Sequence, residues 1–131
     1  MENLLLKKTD KTPSIEFHTD GELKIEGRSI PENSIEFYQK AFVWITEYRY
    51  SRPSKLNLHV NLEYFNSSSG KLLLSLFKQL ELIRSEGVDA KIHWYYNEND
   101  EDMNEAGQDF GSLVKLPFKY IQLVEDLSRS V

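Results

Sequence analysis

Residues 56–65, LNLHVNLEYF, alternate apolar and polar side chains; Asn66 follows, and then Ser67-Ser68-Ser69-Gly70 opens a leucine-rich stretch. A side-chain period of two puts Leu56, Leu58, Val60 and Leu62 on one face of a strand, with Asn57, His59 and Asn61 on the other. Beyond the serines, Leu73, Leu76, Phe77, Leu80 and Ile83 recur at helical spacing and share one face. A strand that hands over directly to an amphipathic helix is half of a βαβ unit. Such a unit needs a sheet for its helix to pack on.

The rest of the chain extends this plan. SIEFH (14–18) and ELKIE (22–26) alternate around Asp20-Gly21, a strong hairpin signal. Asn33 is placed to cap a helix, with Glu36 three residues on. That helix is expected to run to about Tyr48 with Ile35, Tyr38, Phe42 and Ile45 inward. Phe37 and Trp44 fall off this stripe, so their joint exposure would mark a contact surface. Gly87 closes the second helix. DAKIHWYY (89–96) reads as a strand, as does PFKYIQLV (117–124), where Pro117 favours an edge. Between them lies an acidic loop with room for a short helix. The expected fold is α/β, one domain over residues 1–131. It has a roughly five-stranded mixed sheet, an N-terminal hairpin, two main helices and a short third. Helices on one face would leave the other partly open, and residues 1–12 are expected to be loosely packed.

Charge and composition exclude several classes. With 21 acidic against 16 basic side chains and a net charge of −5, the chain has no basic footprint for nucleic acid or anionic membrane. No cysteine is present for disulfides, thiolate metal sites or thiol nucleophiles, and no apolar run reaches the ~20 residues of a membrane helix. A cytoplasmic protein is the expectation. SSSGK resembles the end of a phosphate-binding loop, but Leu72 follows the lysine and Phe65 takes the place of the first glycine. Ser68 has Gly70 on one side but Asn66 on the other, so it lacks the hydrolase elbow. NENDEDMNE fails as a calcium loop, with Asp102 at the turn glycine and Gln108 at the bidentate glutamate. No cofactor motif emerges. A ligand site at the strand ends, near Asn66, His93 and the acidic loop, is the alternative expectation. No nucleophile, base and oxyanion donors assemble for it.

The serines admit two readings. One small polar residue suffices to cap a helix, and Asn66 or Ser67 would do it. A helix N-terminus also tolerates a phosphate, since its free N–H groups and partial positive charge favour an anion. Phosphorylation of Ser67 would add about −1.5 to −2 charges without melting the helix. Lys71 lies one turn on, and Leu74, Lys78 and Leu82 are expected to form an outward stripe.

PENS (31–34), the helix carrying Trp44, LEYFNSSSGKLLLSLFKQLE and IHWYYNENDEDMNEAGQDF together resemble the SiaC family of bacterial regulatory phosphoproteins, over residues 12–122. The resemblance implies a fold similar to the anti-sigma-factor antagonists (STAS-like). It implies a serine or threonine at the strand-to-helix turn that a partner kinase phosphorylates and a PPM-type phosphatase restores. It further implies that the unmodified form binds a target, in the characterised branch a diguanylate cyclase. By motif position the acceptor is Ser67, with Ser68 and Ser69 as alternatives. The partner surface is then Pro31, Glu32, Asn33, Ser34, Asn66, Ser68, Ser69, Lys71, Leu74, Lys78 and Leu82. Gly70 stands where the family pattern carries a side chain.

Overall fold

The computed structural model describes residues 1–124. In chain order its elements are β1 (Leu4–Leu6), β2 (Ser14–Phe17), β3 (Glu22–Ser29), α1 (Ser34–Tyr50), β4 (Lys55–Phe65), α2 (Ser67–Ser85), β5 (Asp89–Asn97), α3 (Glu101–Leu113) and β6 (Phe118–Leu123). The strands form one six-stranded sheet in the order β1-β2-β3-β4-β5-β6. β1, β2 and β3 pair antiparallel, and every later pair is parallel. Right-handed crossovers that advance steadily in one direction must put all their helices on one face. The burial pattern agrees: Leu23, Ile25, Leu56, Leu58, Val60, Ile92 and Trp94 are buried beneath the helices, while Asn57, His59, Asn61, Lys91, His93 and Tyr95 stay half-exposed on the opposite face.

The hairpin forms as expected, with Gly21 at φ +94° in its turn. A Cβ there would also strike the Lys55 carbonyl, at 2.6 Å. Gly87 follows α2 at φ +99°, and β6 lies at a sheet edge.

Three expectations need correction. The sheet has six strands, because Leu4–Leu6, expected to be loose, pair with Ile15–Phe17. Trp44 helps to hold that strand: its indole N–H donates to the Glu2 carbonyl at 2.8 Å, and its ring meets Phe17 edge-on. The inward face of α1 is therefore Tyr38, Ala41, Trp44, Ile45 and Tyr48. Ile35 is 70% exposed, Phe42 is only partly buried, and Phe37 packs against the core margin. The third helix is also longer than expected, at 13 residues. Asp100 caps it by accepting the Met103 N–H, and Glu101 and Asp102 favour its positive end.

Candidate functional site

β4 reaches the site through a bulge. Leu62 faces Gly27, but Tyr64 faces Arg28 and Phe65 faces Ser29, so Glu63 is an extra residue on β4. Strict alternation from Leu62 would send Tyr64 into the core. The bulge reverses the parity: Tyr64 is 54% exposed, and Phe65 packs beneath the helices against Trp94 and Phe110. Gly70 is explained by the same packing, since a Cβ there would stand 3.2 Å from the Phe65 ring. The missing side chain lets the strand end seat against the first turn of α2.

Asn66 is the cap. Its side-chain oxygen accepts the Ser69 N–H at 2.9 Å, its carbonyl accepts the Gly70 N–H, and its own N–H donates to the Ser29 carbonyl. The capping role therefore needs none of the three serines.

Those serines have three different environments. Ser69 is fully buried. Its hydroxyl donates to the Ser29 carbonyl at 3.0 Å and accepts from the Ser29 hydroxyl at 2.8 Å. With the Ser29 proton thus committed, the 2.6 Å contact between Ser29 and Tyr38 has the phenol as donor. Burial pushes the Tyr38 phenol up to about 12, only partly offset by the Ser29 and Ser69 hydroxyls beside it, so it remains a donor at any physiological pH. Ser69→Ala would leave the Ser29 hydroxyl and carbonyl short of a buried partner. A loss of about 1–3 kcal/mol in urea unfolding is expected. Stability equal to the parent would show that the buried loop of hydroxyls contributes nothing.

Ser68 donates to the Asn66 side-chain oxygen at 3.1 Å, so in its 2.7 Å contact with Ser34 it is the acceptor. This bond joins the first turns of α1 and α2. Ser67, the first residue of α2, is exposed, and its hydroxyl is bonded to no described residue. Moreover, α2 carries no acidic residue in its first turn, whereas α1 has Glu36 and α3 has Glu101 and Asp102. Its positive end is left without the usual intramolecular counter-charge.

The structure brings Ser34, Asn66, Ser67 and Ser68 together but removes several residues from the expected partner surface. Pro31, Ser34 and Ser69 are buried, leaving Glu32 and Asn33 exposed in the PENS segment, with Asn33 also capping α1 through the Glu36 N–H. Leu74 packs partly against the core, so the outward stripe on α2 is Lys71, Ser75, Lys78 and Leu82, with Leu82 as its one exposed leucine. Sequence reasoning missed the neighbouring apolar groove. Ile35, Phe42, Val43 and Leu72 line a cavity of about 490 Å³ between α1 and α2. Of its apolar lining on α1, only Val43 lies off the stripe expected to face inward; Ile35 and Phe42 belong to that expected stripe. His93 faces the open side of the sheet, away from Asn66.

An open α/β domain with an exposed serine at a capped strand-to-helix turn and an apolar groove along its first helix has the build of a protein-binding module. Residues 6–123 match the SiaC family regulatory phosphoprotein profile, and the chain belongs to that family. An uncharacterized protein of Pseudomonas aeruginosa strain UCBPP-PA14 is 29% identical over 119 residues, covering 90% of this chain and 94% of the relative. The solved structure of SiaC of Pseudomonas aeruginosa superimposes with a TM-score of 0.87 at 27% identity, covering 94% of this chain and 100% of that one. The SiaC chain in the crystal structure of the diguanylate cyclase SiaD with its activator SiaC matches at a TM-score of 0.87 and 27% identity, covering 92% and 99%. No helix among the described residues is long and apolar enough to cross a membrane.

Proposed function

We propose that this protein is a non-enzymatic, cytoplasmic phospho-switch whose acceptor is Ser67 and whose unmodified form docks on a diguanylate cyclase. One observation carries the choice of acceptor. Among the described residues, Ser67 alone of the three serines is exposed with a hydroxyl free of hydrogen bonds, while Ser68 is engaged by Asn66 and Ser34 and Ser69 is buried. A kinase can therefore reach Ser67 without breaking the fold. The phosphate would sit at a helix end with no acid of its own and with Lys71 one turn away. A Ser/Thr kinase and a PPM-type phosphatase are the enzymes such a switch requires. The docking face is the α1–α2 groove of Ile35, Phe42, Val43 and Leu72, continued by Lys71, Lys78 and Leu82 on α2 and by Glu32 and Asn33. The cyclase is favoured as occupant because a structurally similar family member is the activator in a complex with one.

The test is peptide mapping of protein isolated from its own cells. The segment 56–71 ends at lysine and follows one, so trypsin releases it whole. A fraction carrying about 80 Da more, with fragment ions placing it on Ser67, is expected. Phosphate confined to another residue, or none in any growth condition, would defeat the assignment.

A further inference from the structure

The open face of the sheet carries a titratable cluster that the switch does not use. Parallel registration sets Lys24, His59, His93 and Lys119 side by side on β3, β4, β5 and β6, and antiparallel pairing adds Glu16 of β2 beside Lys24. The His59 and His93 rings are stacked, with centroids 4.2 Å apart and planes 15° from parallel. His59 is held at both nitrogens: Nδ1 lies 2.9 Å from the Tyr95 hydroxyl and Nε2 lies 3.2 Å from a Glu22 carboxylate oxygen. Glu22 is itself fixed by the Asn57 amide at 2.9 Å and approached by Lys55. His93 has no such support. Among the described residues its Nε2 is buried without a partner, and the cations Lys91 and Lys119 flank it.

We infer that the His59–His93 stack is an acid-sensitive latch across β4 and β5, closed while at least one ring is neutral and forced open when both are charged. Two imidazolium rings at this spacing repel, and a ring fixed by Glu22 and Tyr95 cannot turn away without losing both bonds. Glu22, shared with Lys55, is the carboxylate in contact with the pair; Lys24 is answered by Glu26 at 2.7 Å and by Glu16, while Lys91 and Lys119 add positive charge beside His93. Burial first, then the neighbouring His59 and the two lysines, holds His93 below its ordinary value of 6.5. The unfolded chain therefore takes up this proton more readily than the folded one. The stability at stake is fully present above pH 6.5 and is lost as the pH falls through the folded value. The paired row lies near the end of the β4–β5 ladder, which closes at Val60 and Trp94, five residues before β4 delivers Phe65 to the serine turn. Acid would thus loosen the strand that carries the switch.

Thermal melts between pH 7.5 and 5 test this on the parent chain and on His93→Gln, which keeps a polar planar group but cannot take the charge. The parent is expected to lose at least about 3 °C more than the variant over that range. Equal losses would overturn the latch. An independent reading on the parent alone is the proton titration of its ring resonances. The His93 ring should titrate below an unperturbed histidine, and a midpoint at or above the ordinary value would equally overturn it.

Discussion

Ser67→Asp is expected to bind the proposed cyclase partner at least about tenfold more weakly than the parent, while Ser67→Ala binds as the parent does. The asymmetry follows from the site. The Ser67 hydroxyl bonds to no described residue, so its removal costs the fold nothing beyond a slight change in helix propensity. A carboxylate at the first position of α2 is tolerated in the free protein, where it meets a positive helix end without an acid of its own. In the proposed complex the same charge would be desolvated against the partner. About 1.4 kcal/mol of uncompensated desolvation is enough for a tenfold effect. Titration of the two variants against purified partner, with the stimulated cyclase rate as a second readout, decides the matter. Equal affinities for Asp and Ala would mean that charge at Ser67 does not govern docking, even if the serine is modified in cells. Because the helix end accommodates the carboxylate, the two variants should melt within a few degrees of each other, which separates a binding defect from a folding defect.

Gly107→Ala is expected to cost about 2–4 kcal/mol of stability, although alanine is ordinarily the better helix former by about 1 kcal/mol. Gly107 lies on the buried face of α3, directly over Trp94. A Cβ there would overlap Cδ1 and Nε1 of the indole and come within 2.8 Å of Cγ. Trp94 cannot yield easily. It is fully buried, its Nε1 donates to the Met103 carbonyl at 2.9 Å, and its ring is packed by Phe65, Phe77 and Phe110. Overpacking and a strained or lost buried hydrogen bond together outweigh the propensity gain. A melting temperature lowered by roughly 10 °C, with a shifted tryptophan emission, is the expected result. An unchanged melt would show that α3 can lift from the sheet at no cost.

The open α/β plan was legible from local pattern alone. Alternation in residues 56–62, helical spacing after Asn66, Asp20-Gly21 and Gly87 each express a backbone preference that neighbours in sequence suffice to establish. A cap for α2 at Asn66 or Ser67 came from the same short-range chemistry, whereas the choice of Ser67 as acceptor came from the family resemblance. What the sequence could not distinguish were residues alike in type but placed differently by contacts remote in the chain. Three adjacent serines became an exposed hydroxyl, a bridge to Ser34 and a buried member of the Ser29–Tyr38 loop, because only the packing of α2 against α1 and β3 says which hydroxyl meets which partner. Trp44 turned inward and Ile35 outward because a three-residue strand, too short to register as a pattern, needed covering. Phe65 replaced Tyr64 in the core because one extra residue at Glu63 reversed the strand's parity. Period and propensity, being local, determined the elements; side-chain choice at the site was decided by long-range contacts, whose geometry exists only once the sheet and helices are assembled.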